Sequence, residues 1–479
     1  MNIIGRNDEI KLIKNSYESE KSEFVAVYGR RRVGKTYLIN NSLEDKLDFV
    51  FTGLYNEKLK TQLKYFCDEL YRKTKTKIKN IPKTWKDAFD LLTEYLISLN
   101  KDKVVVFFDE LPWMDTHKGD LLTAMSSLWN MWDSKSTKLK LFVCGSSTSW
   151  MINKLIGDKG GLYGRVGRNI YLAPFTLKET KDYFNIIRKA NYSNSQILDL
   201  YMILGGIPYY LDMIDTSKSI SKNIDDLFFK INSPLRMEYD FLFRSLFKET
   251  VNYKKVINAL SKKMVGLTRN EISEITKLSG GQLTEILNNL RSCDFLRCYS
   301  SFGKRGKEKM YQLVDHYILF YQHFIDNDDG QNENYWTINY GKPNINSWSG
   351  YSFEIVCLNH INLIKKSLGI NGINSKVYSW KTTPTIDNNG TKWDGAQIDI
   401  IIDRDDKCIN LIEVKFSSND YVIDKDYYKH LKDRMEIFKH NTKTKKTLIN
   451  TFISTNGIKN NSYSDIVDVS IVLDDFFNV

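Results

Sequence analysis

The stretch Gly29-Arg30-Arg31-Arg32-Val33-Gly34-Lys35-Thr36 has the spacing G-x-x-x-x-G-K-[ST], which suits the holding of phosphate. Its glycines let the backbone curl until successive N–H groups face an anion, and the helix that follows adds the partial positive charge of its N-terminus. Lys35 is expected to reach the β- and γ-phosphates of a nucleotide, and the Thr36 hydroxyl to ligate Mg2+. A second element ends in acid. Val104-Val105-Val106-Phe107-Phe108-Asp109-Glu110 reads as a buried strand whose carboxyl end would place Asp109 on the metal's hydration shell and Glu110 on the attacking water. Together the two elements predict hydrolysis rather than a bare nucleotide pocket.

A third set of chemistry-bearing residues lies near the carboxyl end. Ala396–Asp403 and Cys408–Phe416 are β-branched runs joined by Arg404-Asp405-Asp406-Lys407, and they predict a hairpin. Asp399, Glu413 and Lys415 interrupt its apolar residues, an expensive placement for charge unless something pairs with it. Glu413 and Lys415 share a face, and the hairpin brings Asp399 near Glu413, with the register left open. Two close carboxylates and a lysine suit Mg2+-assisted phosphodiester cleavage, in which the lysine orients the nucleophile. The alternative is a buried ion pair between Lys415 and an acid.

The elements that must position these residues divide the chain into three textures. Up to about residue 170, strand-like runs alternate with helical ones, which predicts βαβ units and a parallel sheet. From about 175 to 330 the pattern is helical. It includes Lys254–Leu260, Asn270–Thr276 and Gly281–Leu290, then two short strands, Phe295–Tyr299 and Met310–Leu313, around the basic loop Gly303–Lys307. Asp326–Gly341 reads as a linker, and a mixed helix-and-strand region follows. At 479 residues the chain is long enough for about three domains. With 42% hydrophobic and 27% charged residues it has the balance of a globular protein rather than a disordered one. Six scattered cysteines and six histidines show neither a Cys-x-x-Cys pair nor metal-ligand spacing. Val104–Phe108, the longest wholly apolar run, is far short of the ~18–20 residues of a membrane span. Charge arrives too early at the amino end for a secretory signal, so a cytoplasmic location is expected. The formal charge of +11 fits either a lysine-rich surface or a polyanionic partner.

Residues 1–330 resemble the archaeal-type ATPases of the signal-transduction (STAND) branch of AAA+ proteins. The resemblance is carried by Ile4-Gly5-Arg6 with Glu9, the Gly29–Thr36 loop, Asp109-Glu110-Leu111-Pro112-Trp113 and Leu141–Ser147. It implies ATP and Mg2+ as cofactors, Gly5 and Arg6 beside the adenine, and Ser146 as sensor of the γ-phosphate. Arg165 or Arg168 would be an arginine finger unless the stretch is an ordinary basic turn. Gly205-Gly206-Ile207-Pro208 matches a turn that abuts the nucleotide, which brings in Pro208. The helix–strand order after residue 246 resembles a winged helix. Gln282 and Thr284 would face base edges and Lys304, Arg305 and Lys307 phosphate, although such modules also serve as internal spacers. The carboxyl-terminal hairpin resembles the PD-(D/E)XK nuclease fold. That fold nominates Glu354 on the preceding helix and expects the later helix and strand that Lys425–Phe438 and Lys446–Ser454 supply. Ile398 stands where the eponymous proline would be.

The expected fold is therefore α/β. A P-loop NTPase parallel sheet (1–174) is followed by a helical subdomain (175–245), a winged-helix domain (246–330) and an α/β restriction-endonuclease-like domain (342–479). The expected function is an ATP-hydrolysing switch that couples nucleotide state to DNA binding and metal-dependent cleavage. One competitor is a nucleotide-gated DNA-binding module that does not cut. Another is an ATPase that serves a partner protein, and a homo-oligomer is also open.

Overall fold

Phe24–Val27 and Val104–Phe108 are apolar at every position, so a sheet built from them must be covered on both faces. The computed structural model, which describes residues 3–78, 80–117, 119–133, 136–303, 309–386 and 390–478, shows that sheet. Its strands are β1 (Glu23–Tyr28), β2 (Phe49–Thr52), β3 (Lys103–Asp109), β4 (Lys138–Gly145) and β5 (Arg168–Tyr171). They run parallel in the order β2-β3-β4-β1-β5. Val25, Val27, Val105 and Phe107 enter one core, while Phe24, Ala26, Val104, Val106 and Phe108 enter another on the opposite face. Parallel pairing brings the carboxyl ends of β1, β3 and β4 to one rim, where Gly29, Asp109 and Ser146 begin their loops.

Helices take over after β5. Thr176 caps Leu177–Asp182 and Ser193 caps Asn194–Leu204, each through a reciprocal capping box with Glu179 or Gln196. The helix Pro234–Leu246 leads into a unit of three helices, Thr250–Ser261, Arg269–Thr276 and Gly280–Ser292. A small antiparallel sheet completes this unit, with β6 (Leu267–Thr268), β7 (Leu296–Ser300) and β8 (Lys309–Leu313) in the order β6-β8-β7. Lys304, Arg305 and Lys307 lie outside the described residues.

The stretch read as a linker is folded. Within it, the helix Tyr335–Asn339 buries Trp336 against Phe320, Phe324 and Trp348. The fully buried Asp225 carboxylate accepts N–H bonds from Trp336 (2.8 Å) and Thr337 (3.2 Å) and the Thr337 hydroxyl (2.5 Å). One large aromatic thus pins a polar segment whose composition alone reads as loop.

The last region has the strands β9 (Ser375–Thr382), β10 (Thr385–Ile386), β11 (Lys392–Trp393), β12 (Ala396–Arg404), β13 (Cys408–Lys415), β14 (Thr447–Ser454) and β15 (Val469–Val472). Five of them form a mixed sheet in the order β15-β14-β13-β12-β9, antiparallel from β9 to β13 and parallel from β13 to β15. The helix Pro343–Asn359 precedes it, and Lys425–Thr442 joins β13 to β14. The two later sheets meet at an edge. Ser301 bridges Ser379, the Phe302 N–H donates to the Ser379 carbonyl at 3.0 Å, and the Phe302 ring packs on Tyr378 and Phe438. A single apolar core extends from Ile4 to Phe477. At its far end the helix Asp475–Asn478 buries Phe476 and Phe477, with Phe477 beneath Lys181 of the helical region and Phe476 beside His360.

Candidate functional site: a phosphate cavity and an acid ladder

The Gly29–Thr36 loop wraps tightly because Gly29 (φ 145°) and Gly34 (φ 92°) hold angles that side chains disfavour. A Cβ on Gly29 would stand 2.3 Å from the Leu172 carbonyl oxygen. Lys35 is buried, and its Nζ donates to the Gly29 (3.2 Å) and Arg30 (3.0 Å) carbonyls. Burial lowers its pKa from the ordinary lysine value. Across the rim the Thr36 hydroxyl donates to Asp109 Oδ1 at 2.9 Å, the Thr52 hydroxyl reaches Oδ2 at 3.4 Å, and Cys144 Sγ lies 2.7 Å from Oδ1. Glu110 follows in the left-handed region (φ 47°), and its carboxylate accepts the Ser146 N–H (3.0 Å) and hydroxyl (2.5 Å). A non-glycine residue held there stores backbone strain of ~1–3 kcal/mol, a cost concentrated at working sites.

Of these groups, Lys35, Thr36, Glu110 and Ser146 line the polar end of one cavity of about 810 Å3, with Asp109 bonded behind Thr36. The other end is apolar, with Ile4, Leu172, Phe175 and Pro208. Arg6 edges it, donating to the Ala173 carbonyl at 2.5 Å and lying 4.9 Å over the Phe175 ring. Gly5 (φ 61°) leaves room for Glu179, whose Oε1 would be 2.0 Å from a Cβ there. Gly206 lies against Phe175, accepting its N–H at 2.6 Å and setting the start of the Pro208 helix. The polar end fits Mg2+, since Thr36 and Asp109 present a hydroxyl and a carboxylate to each other, hard oxygen donors of the kind that ion prefers.

Among the Gly29–Thr36 side chains proposed for the phosphates, Arg30 alone is absent from the cavity lining. The Arg30 side chain leaves the phosphates altogether. It is buried, pairs with Asp315 at 2.6 Å, and lies over Tyr210 and Phe295. Val33 packs into the core and also lines the cavity. Arg32 pairs with Glu238 at 2.7 Å and sits 3.9 Å over Tyr209, while Arg31 lies 5.3 Å over Trp113. Arg168 aligns with Val25, early in β1, and lies 3.8 Å from Glu23, away from the loop that follows the strand. Asp315, Glu238 and Tyr209 carried no signal in the sequence, because each comes from an element remote from the loop, whereas Trp113 ends the motif that begins at Asp109.

In the second region Ile400 pairs with Ile412, so Asp399 and Glu413 occupy the next step of the same ladder. The β12–β9 register shifts between Ile398 and Ile401, which places Asp399 in a bulge where the Ser379 hydroxyl bonds its carbonyl at 2.6 Å. Glu413 is enclosed by donors: the buried Arg434 guanidinium, Lys415 Nζ at 2.8 Å and the Tyr427 hydroxyl at 2.5 Å. Although burial works to raise it, Arg434 and then Lys415 hold the Glu413 carboxyl at about 2. Burial, and then the charges of Asp399 and Glu413, push Glu354 up to about 8. Burial and Glu413 raise Asp399 as well. Glu354, Asp399 and Lys415 line a cavity of about 840 Å3 whose other wall is Arg297, Tyr299 and Tyr351, and Glu413 does not line it. Among the described residues no group of three or more such side chains is placed to hold a metal ion. Of the expected metal set Glu354, Asp399 and Glu413, the last is already paired with Arg434 from a helix that follows β13.

Comparison with known proteins adds a family to the first region. Residues 3–214 match the model of an ATPase domain predominantly from Archaea. Those residues carry an archaeal-type ATPase domain. An uncharacterized protein of Methanocaldococcus jannaschii is 27% identical over 418 residues, covering 86% of this chain and 87% of that protein. An uncharacterized ATP-binding protein of the same organism is 40% identical over 43 residues, 9% of this chain and 73% of its own. Similar solved structures include a Walker-type ATPase of Pyrococcus abyssi (TM-score 0.48, 18% identity, 67% of this chain and 96% of that one). Another is the Aeropyrum pernix ORC2 protein (TM-score 0.42, 12% identity, 70% and 96%). Among the described residues no helix is long and apolar enough to cross a membrane.

Proposed function

We propose that this chain is an ATP-hydrolysing switch that changes how a DNA-contacting module is held. The observation that carries the reading is the single cavity shared by Lys35, Thr36, Glu110 and Ser146 beneath an apolar chamber sized for a base. Lys35 exchanges its loop carbonyls for phosphate oxygens, an exchange that places its charge where the triphosphate's is greatest. Thr36 and Asp109 would hold Mg2+, which neutralises phosphate charge when bound. Glu110 orients water once Ser146 releases it, and the freed Ser146 hydroxyl faces the terminal phosphate.

Arg30 links this chemistry to the rest of the chain. Its partner Asp315 caps the helix His316–Phe320 by accepting the Ile318 N–H at 2.9 Å, so movement of the phosphate loop is felt directly after β8. The unit of residues 250–313 has the order of a winged helix, and Gln282 and Thr284 are exposed on its third helix, which supports DNA contact there. The carboxyl-terminal sheet supports a nuclease-like fold. Its closed Glu413–Arg434 pair favours the non-cutting reading over cleavage.

Phosphate release from ATP, with duplex binding measured in ATP and in ADP, tests the proposal. Lys35→Ala should lose at least ~100-fold in hydrolysis; a wild-type rate in that variant would overturn the site. DNA cleavage in Mn2+ that disappears in Asp399→Asn would reinstate the nuclease.

A further inference from the structure

A second cavity, of about 570 Å3, opens beside the phosphate loop at the seam between the first sheet and the helical region. From the sheet side come Arg31, Arg32, Tyr55 and Trp113. The helical side supplies Phe241, Arg244, Ser245, Phe247, Lys248 and Thr250. No acid lines it. Arg32 is spent on Glu238, but among the described residues Arg31, Arg244 and Lys248 have no carboxylate partner in an ion pair. Three unpaired cations around one hollow repel each other, and an anion between them relieves that repulsion.

The aromatic surface is as telling as the charge. Tyr55 and Phe241 are 49% and 54% exposed, large apolar faces left to water at the mouth of a basic hollow. Tyr55 meets Trp113 edge-on at 5.5 Å, Arg31 lies over Trp113, and the Tyr55 hydroxyl donates to the Arg244 carbonyl, so the Tyr55 ring is held in place. Exposed rings interleaved with free cations match unstacked bases and their phosphates. An acidic peptide would use the cations and leave the rings idle. A duplex would offer phosphates and keep its base faces stacked out of reach.

We infer that this hollow is a binding site for single-stranded nucleic acid, with a base on Tyr55 and Phe241 and the strand's phosphates on Arg244 and Lys248. The cavity has the volume of a small-ligand pocket, ~300–1,000 Å3, so it seats one base with its phosphate while the strand continues across the exposed rim. Arg31, Arg32 and Trp113 line this hollow and the nucleotide cavity alike. Nucleotide and strand therefore share a wall, and any effect of one on the other's affinity is returned by the same factor.

The test is fluorescence anisotropy of a labelled oligo-dT of ~12 nucleotides, with a duplex of equal length as control, on the full chain across a salt series. Phe241→Ala should weaken single-strand binding by about 5–150-fold, the range expected for one lost base stack. The double variant Arg244→Gln, Lys248→Gln should reduce the slope of log affinity against log salt by about 1.4, two phosphate contacts at ~0.7 each. Binding of a fluorescent ATP analogue should persist in both variants and certify that they fold. Unchanged single-strand affinity and salt slope in both variants would overturn the inference. So would displacement of the oligonucleotide by polyaspartate at equal charge concentration, which would assign the hollow to an acidic protein segment.

Discussion

The nucleotide cavity and the acid ladder of the carboxyl-terminal sheet use the same ingredients, a lysine and two carboxylates, and combine them in opposite ways. Lys35 touches only carbonyl oxygens, and Asp109 is met by hydroxyls and a thiol, so both groups keep their charge available to a ligand. Glu413 has three donors, two of them cationic, and its neighbours Glu354 and Asp399 lean toward their neutral forms. The first arrangement leaves charge unspent for a polyanion and its metal. The second is already neutralised within the fold, and a metal there would have to displace a buried guanidinium. The same side chains therefore give a working site or a structural knot according to whether the protein itself supplies the counter-ion.

The largest expected effect bears on the open site. Glu110→Gln should cut ATP hydrolysis by about 10^2–10^4-fold, the worth of a positioned general base, while ATP binding is retained in a filter or fluorescence assay. Equal loss of binding would make Glu110 a structural acid and erase the contrast. Next, Arg434→Met should lower the urea unfolding free energy by up to about 3–5 kcal/mol, since it removes the buried cation on Glu413 Oε2 and leaves Lys415 as the remaining charged partner. Adding Glu413→Gln should restore much of that loss. If Arg434→Met is neutral instead, the ladder is not closed and metal chemistry returns to consideration.

Ser146→Ala should change turnover by about 10-fold, because the hydroxyl bond to Glu110 is lost while the N–H bond remains. The smallest effect is one of pH. The folded Glu354 carboxyl titrates near 8, against 4.5 when unfolded, so between those values the folded chain holds the extra proton. Its contribution to stability is present below about pH 4.5 and is lost as pH rises through about 8. Wild-type denaturation midpoints should fall over that window relative to Glu354→Gln, and parallel profiles would remove Glu354 from the cluster.

How much was legible in the sequence followed the distance over which each feature is determined. The Gly29–Thr36 loop and the Asp109-Glu110 strand end are local patterns, and the parallel sheet that joins them follows from apolar runs covered on both faces. Asp399 facing Glu413 was within reach because a short turn limits the registers a hairpin can take. The destination of the Arg30 side chain was not, since Asp315 lies 285 residues away and nothing near the loop distinguishes Arg30 from its two neighbours. The pairing of Arg434 with Glu413 was out of reach for the same reason, since the two lie 21 residues apart on different elements. Asp326–Gly341 failed differently. Its turn-forming composition was read correctly, but the burial of Trp336 outweighs it, and that depends on rings brought from Phe320 and Trp348.

The docking of Phe476 and Phe477 onto the helical region bears on how firmly a base is held. Leu177–Asp182, which follows the cavity-lining Phe175, is fully packed only when the helix Asp475–Asn478 lies against it. The phosphate loop closes through local bonds, whereas the roof over the base leans on contacts such as Asn194 to Asp474, 280 residues apart. Loosening that remote helix would slacken the grip on the base and leave the phosphate cradle intact.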